Sequence, residues 1–210
     1  MLKEIEKRIL TSLIIIPITF FLIYKGSVFF ILFLIITFFV SSYEWIKLNK
    51  KNELIKSFGI IFLILSFYFA YLLRLEQGFK IFLFIILISI LTDTGGYVFG
   101  KIFKGPKLTR ISPKKTYAGL MGSFLLSIMG GLIFIELIDL KSNLFLYSFI
   151  LIISLVSQVG DLVVSYFKRL AKIKDTGKIL PGHGGLLDRI DGIVFATPFA
   201  YIYLKLAIVY

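Results

Sequence analysis

The sequence predicts an all-α, polytopic integral membrane protein of about seven transmembrane helices, within a range of six to eight, enclosing a polar cavity open to the cytoplasm. Three observations carry this. Of 210 residues, 58% are hydrophobic. Apolar runs follow one another along the chain, each near the length needed to cross roughly 30 Å of hydrocarbon. Charge is gathered almost wholly between those runs.

Taken in order, the spans fall at about 9–24, 27–43, 57–73, 79–100, 117–138, 144–167 and 192–209. MLKEIEKR precedes the first, but no small-residue cleavage pattern follows and a second apolar run begins at once, so the first helix reads as retained. Only Lys25-Gly26 joins spans one and two, which implies a tight helical hairpin or a pair that partly re-enters; Pro17 predicts a kink. Glu44-Trp45 falls at a membrane edge, where Trp is expected as an anchor. Gly95, Gly96 and Gly100 in span four permit close backbone approach or a broken helix. Ala118, Gly122, Ser123, Ser127 and Gly131 give span five small residues at four-residue spacing, suited to helix packing. Glu136 and Asp139 at its far end read as interfacial. The chain divides into N-terminal transmembrane helices, 1–75, and a catalytic transmembrane region, 76–210, with polar loops 101–116 and 168–191.

The net charge of +12 could suggest nucleic acid. Its placement decides otherwise. All but five of the 24 lysines and arginines lie in the N-terminus and in alternate loops, those after spans two, four and six. The positive-inside rule puts these segments in the cytoplasm, and membrane topology with anionic headgroups accounts for the charge without a nucleic-acid partner. The expected location is the cytoplasmic (inner) membrane, with any active site on its cytoplasmic side. With no cysteine there is no disulfide framework or thiolate metal site.

Acids inside apolar runs are costly and mark function. Ser154, Ser157, Asp161, Ser165 and Lys168 recur at steps of three or four, so they form one polar stripe that must face a partner helix or a water-filled cavity. Asp161 is then a metal or substrate ligand, or a structural acid paired with a base. Asp93, ahead of the glycines of span four, is either a second site residue or a polar helix end. In the loop 168–191, Gly177, Gly182, Gly184 and Gly185 let backbone N–H groups turn toward an anion among Lys and Arg side chains. Asp188 and Asp191 stand three apart at the start of the last span, an arrangement of oxygen ligands near phosphates that suits Mg²⁺. A plain basic loop with helix-capping acids remains the alternative. His183, the single histidine, is a general acid/base or a loop-ordering contact. Ser112-Pro113-Lys114-Lys115-Thr116 can cap the fifth span and offer two lysines to phosphate.

Together these residues resemble a known family. Ser165-Tyr166-Phe167-Lys168-Arg169, Lys174-Asp175, Pro181-Gly182-His183-Gly184-Gly185 and Asp188-Arg189-Ile190-Asp191 are similar to the long signature of phosphatidate cytidylyltransferases. Gln158-Val159-Gly160-Asp161, Asp93-Thr94-Gly95-Gly96-Tyr97, the Ser112 to Thr116 segment and Glu44-Trp45 extend the match. The resemblance implies transfer of CMP from CTP to phosphatidic acid, giving CDP-diacylglycerol and diphosphate, with Mg²⁺ and room for a second cation. It implies metal binding by Asp161 and Asp188. Lys168, Arg169, Lys174 and Arg189 would clamp phosphates, with Asp175, His183 and Asp191 completing the catalytic set. Asp93, Ser112, Lys114, Lys115, Thr116, Ser165, Gly184 and Gly185 would bind substrate. Membrane lipids are partners and a homodimer is admitted. Two departures stand out: Ala118 occupies a position where the family carries an acid, and the segment from Trp45 to Asp93 is shorter than usual. The competing readings are an ion-coupled transporter using Asp93 and Asp161, and a non-catalytic relative that binds lipid or nucleotide only.

Overall fold

The computed structural model describes residues 2–50, 52–109, 111–138 and 144–209, with side chains from Glu6 to Leu206. Lys51, Arg110 and Lys141 of the charge pattern, and Asp139 of the interfacial pair, lie outside the described residues. Among the described residues, seven helices follow in order: α1 Leu2–Lys25, α2 Ser27–Leu48, α3 Glu53–Glu76, α4 Gly78–Phe103, α5 Tyr117–Leu137, α6 Leu144–Leu170 and α7 Leu187–Val209. Among the described residues, α1 to α6 are long and apolar enough to cross a membrane. The protein is an all-α polytopic membrane protein. α7 carries Asp188, Arg189 and Asp191 in its opening turns, and its described apolar stretch beyond them is short.

Local chemistry sets the boundaries. Asn52 caps α3 by accepting from the Ile55 N–H at 3.1 Å, and Thr116 caps α5 by accepting from the Gly119 N–H at 3.1 Å. α1 and α2 are separated by Gly26 alone, at φ 65°. From the end of α3, Arg74 Nε donates to the Ile23 carbonyl at 3.2 Å and Nη2 to the Tyr24 carbonyl at 3.3 Å. This satisfies carbonyls left open at the end of α1.

The contacts of the two ends give the topology. The start of α1 meets the loop after α6 through Arg8 and Gly182, and the end of α2 meets the same loop through Glu44. α1 and α2 are therefore an antiparallel hairpin, and the re-entrant alternative is discarded. At the opposite end Lys205 Nζ pairs with Glu76 at 2.6 Å and Tyr203 meets Ser148 at 2.6 Å. The helices alternate, so the N-terminus and the loops after α2, α4 and α6 gather at one end.

α4 runs unbroken through Gly95, Gly96 and Gly100; the broken-helix alternative is set aside in favour of close approach. A Cβ on Gly95 would run into the Gly122 carbonyl of α5, one on Gly119 would lie 2.7 Å from the Gly96 carbonyl, and one on Gly122 would run into Phe99. Gly95→Val should therefore destabilise the bundle by about 1–3 kcal/mol, the usual cost of overpacking, read as a lower melting temperature in detergent. A normal melt would mean that α4 and α5 can separate freely. Below this contact, Phe84, Ile85, Ile88, Ile135, Phe149, Ile150 and Ile153 are buried together as the main core.

Trp45 departs from the expected membrane-edge anchor. It is buried, donates Nε1–H to the Ile55 carbonyl at 3.2 Å and meets Phe167 edge to face with ring centres 4.9 Å apart. The Glu44 beside it is 1% exposed, for a reason the site makes plain.

Candidate active site

At the end where the basic loops gather, α4, α5 and α6 enclose a cavity of about 260 Å³. Asp93, Ser112, Lys114, Lys115, Thr116 and Asp161 all line it, joined by Thr92, Tyr97, Ser123 and Gln158. Each arrives by a different local device. Pro113 ends the polar connection before α5, and the Thr116 cap starts the helix with Lys114 and Lys115 just outside it. The glycines of α4 bring its backbone against α5, which holds Asp93 opposite those lysines. Asp161 comes from the polar stripe of α6.

That stripe faces partner helices, as its cost in lipid requires. Ser154, Ser157, Ser165 and Lys168 are all buried. Ser154 Oγ accepts from Thr92 Oγ1 at 2.9 Å, while Ser123 Oγ donates to the Thr92 carbonyl at 2.7 Å. These bonds tie α4, α5 and α6 directly beneath the cavity. Ser157 packs against Gly192 of α7, which has no room for a side chain.

Asp161 Oδ2 takes Lys115 Nζ at 2.6 Å and Oδ1 accepts from Ser165 Oγ at 3.2 Å. Both partners of the ion pair are roughly a quarter exposed, so the pair borders the cavity rather than being sealed beneath it. Asp188 is held differently. Its Oδ2 accepts from the Thr176 N–H at 2.7 Å, Thr176 Oγ1 at 3.0 Å and the Gly185 N–H at 3.1 Å. Its Oδ1 meets Lys168 Nζ alone, at 2.7 Å. Asp191 is 5% exposed. Its Oδ1 accepts from the Gly192 N–H at 2.9 Å, and its backbone sits where a Cβ on Gly160 of α6 would have to go. Both acids of α7 thus face α6, as their three-residue spacing predicts.

The loop after α6 folds over this cluster. Gly182 and Gly184 adopt φ 76° and 91°, conformations that favour glycine. A Cβ on Gly184 would lie 3.3 Å from Asp175 and 3.4 Å from Asp188, while one on Gly185 would run into Thr176. Arg189 donates Nε–H at 3.2 Å and Nη2–H at 2.6 Å to the His183 carbonyl. His183 stands apart from the cavity, with Nε2 3.3 Å from Ser12 Oγ of α1. Arg169 turns back to the Ile173 carbonyl at 3.3 Å, and Lys174 is exposed on the loop.

Sequence reasoning undervalued Glu44. Its Oε2 shares the single Thr176 hydroxyl hydrogen with Asp188 Oδ2, each 3.0 Å from Thr176 Oγ1, and accepts from the Leu187 N–H at 2.8 Å, while Oε1 accepts from the Leu186 N–H at 3.0 Å. A carboxylate from α2 thus caps the first turn of α7 and fixes the loop before it. The signal was an acid beside Trp at the end of an apolar span.

Among the described residues, no three His, Asp or Glu side chains lie together as a ready-made metal cage. The donor chemistry nonetheless fits Mg²⁺, which takes one or two carboxylates and completes its shell with phosphate oxygens and water. Asp161 borders the cavity beside Asp93, and Asp188 presents one oxygen whose partner among the described residues is the ammonium of buried Lys168. Replacing Lys115 by Met leaves Asp161 without its counter-ion and the cavity with one cation fewer. Binding of a triphosphate should weaken about tenfold or more, since a charge-assisted hydrogen bond contributes about 1.5–3 kcal/mol; equilibrium binding of labelled nucleotide measures it. Unchanged binding would place the nucleotide elsewhere.

Comparison with known proteins adds family to geometry. The pattern that defines the cytidylyltransferase family matches residues 6–91 and 57–207, two overlapping segments that together take in nearly the whole chain. Proteins named phosphatidate cytidylyltransferase from Staphylococcus epidermidis and Staphylococcus aureus are each 39% identical over 173 residues, covering 80% of this chain and 66% of theirs. One from Staphylococcus saprophyticus is 38% identical over the same lengths. The match thus spans just under two thirds of the length of these relatives.

Proposed function

This chain belongs to the cytidylyltransferase family, and we propose that it transfers CMP from CTP to phosphatidic acid, forming CDP-diacylglycerol and releasing diphosphate. The observation that carries the reading is the meeting of Asp93, Lys114, Lys115 and Asp161 in one cavity; Asp188, outside that lining, is tied to the same polar stripe of α6 through Lys168.

Both substrates are anionic and repel each other, so the site must supply positive charge before chemistry can start. Lys114 and Lys115, which line the cavity, and Lys168 beside Asp188 would supply it. A phosphate oxygen of the lipid attacks the α-phosphorus of CTP in line, a P–O bond forms, and the bond to the β-phosphate oxygen breaks as diphosphate leaves. The lipid phosphate is already a nucleophile, so the protein's share is positioning and electrostatics. Asp161 and Asp188 are the residues that would hold Mg²⁺, whose bound charge would offset that developing on the phosphates. Arg189, in the first turn of α7, is held against the loop through the His183 carbonyl. Arg169 and Lys174 would have to turn inward from their present positions to reach a phosphate.

The basic segments at one end of the bundle favour a cytoplasmic site, since positive loops remain inside. That end is also where CTP and lipid headgroups would both be at hand.

The test is direct. Purified protein in detergent, with phosphatidic acid, Mg²⁺ and radiolabelled CTP, should give a labelled lipid, and Asp161→Asn, at the cavity border, should cut it at least a hundredfold while melting near the parent temperature. Chelation with EDTA should stop labelling and added Mg²⁺ restore it. Labelled nucleotide bound without a lipid product would favour a binding protein over an enzyme.

A further inference from the structure

α1 exposes Ile9, Leu10, Leu13, Ile14 and Ile16, as a helix facing lipid does. One of its faces is polar. Arg8, Thr11 and Ser12 stand at steps of three and four and so share a side of the helix. Arg8 Nε donates to the Gly182 carbonyl at 2.7 Å, the single Thr11 hydroxyl hydrogen is shared between the Lys7 carbonyl at 2.8 Å and the Pro181 carbonyl at 3.0 Å, and Ser12 Oγ lies 3.3 Å from His183 Nε2. Three consecutive loop residues are tied to three residues of one helix face.

The tied turn is tight, and three backbone hydrogen bonds close it. Gly182 and Gly184 both sit at positive φ. The Leu180 N–H donates to the Gly184 carbonyl at 3.0 Å, and the His183 and Gly184 N–H groups donate to the Leu180 carbonyl at 2.9 and 3.1 Å. Glycine-rich turns lose much conformational freedom when fixed, and each hydrogen bond returns only about 1 kcal/mol. His183 Nδ1 is buried without a partner, so Ser12 supplies the ring's hydrogen bond. What the turn holds in its own right matters for the site: the His183 carbonyl receives both Arg189 bonds, and the Gly185 N–H that follows binds Asp188.

We propose that Arg8, Thr11 and Ser12 are positioning residues, and that α1 is a strap that fixes the 180–184 turn and through it the Arg189 guanidinium and Asp188. Binding of anionic substrate is then set partly by a helix that does not touch the cavity. The consequence for turnover rests on the cytidylyltransferase reading; the strap itself does not.

Hydrogen exchange and kinetics on the full chain in detergent test the two parts separately. In Arg8→Met/Thr11→Val/Ser12→Ala, the amides of His183 and Gly184 should exchange about tenfold faster or more, since about 1.4 kcal/mol of lost local stability is tenfold in opening. Those of α6 should be unchanged. At saturating phosphatidic acid, KM for CTP should rise about tenfold while kcat stays within about threefold, and Arg8→Lys/Thr11→Ser/Ser12→Thr should restore both, since each replacement keeps a donor in place. Unchanged loop exchange overturns the strap. Faster exchange with an unchanged KM overturns the positioning role. If the parent protein itself makes no labelled lipid, it is the functional reading that has failed, and loop exchange still decides the strap.

Discussion

Asp161→Asn should cut CMP transfer by about 10²–10³-fold or more, the scale of losing a preorganised electrostatic group aimed at the reacting centre. The fold should survive. Asn has the same shape, and the position borders the cavity, so its cost to stability is small beside that of a deeply buried acid. Ser165 Oγ can still donate to the amide oxygen, as it does to Asp161 Oδ1. What disappears is the negative charge facing Lys115 Nζ at 2.6 Å and, in the proposed site, a carboxylate ligand for Mg²⁺. Nucleotide binding should be retained or even strengthened, because the lysine loses its competing counter-ion. That split separates three readings: an enzyme keeps binding and loses turnover, a transporter loses flux with no lipid product in the parent, and a binding protein loses neither. Labelled-lipid formation beside nucleotide titration on the same preparation reads it. Turnover within twofold of the parent would remove Asp161 from the metal site.

Much of this architecture was legible because a membrane makes sequence patterns strict. Backbone groups must be satisfied within helices, so apolar runs of sufficient length translate almost directly into α1 to α6. The polar stripe from Ser154 to Lys168 was equally legible, because polar groups at helical spacing have nowhere to go but inward. The small-residue pattern around Gly95 and Gly122 marked the closest helix pair. The failures have one physical cause: they concern partners far away in sequence. Trp45 reads as interfacial by residue type, yet the end of α2 is covered by α3 and Phe167, and the ring is buried. The glycines of α4 fit a broken helix as well as a close one until α5 is seen to lie against them. Arg8, Thr11 and Ser12 look like the solvated start of a span, and only the placement of Pro181 to His183 gives them a role. Likewise Asp161 and Asp188 carried the same expected role; a cavity and a basic partner for Asp161 were legible as alternatives, but that the base is Lys115, and that Thr176, Gly185 and Lys168 hold Asp188, depends on the fold.

Loss of the Glu44 side chain should cost the fold a large share of its stability. Removal in Glu44→Ala leaves the Leu186 and Leu187 N–H groups at the start of α7 without an acceptor, while Thr176 Oγ1 keeps Asp188 as a partner. Orphaning buried donors costs about 1–3 kcal/mol each, and the carboxylate's favourable placement at a helix N-terminus is lost as well. A total near 3 kcal/mol follows, because such terms do not add in full. Nor can water readily step in: Glu44 is 1% exposed, and Gly177 and Gly185 approach it so closely that a Cβ on either would collide with its carboxylate. Glu44→Gln is the informative companion. It keeps the volume and one acceptor but turns an amide NH₂ toward donors, so its melting temperature should fall between those of Glu44→Ala and the parent. Activity should track the melt only in part, since Thr176 bridges Glu44 and Asp188 and a loosened Thr176 disturbs the proposed metal ligand before the bundle unfolds. Thermal melting in detergent and labelled-lipid formation, measured at a temperature where all three proteins remain folded, separate the two effects. A parent-like melt for Glu44→Ala would mean that the loop is held by α1 and α7 without help from α2.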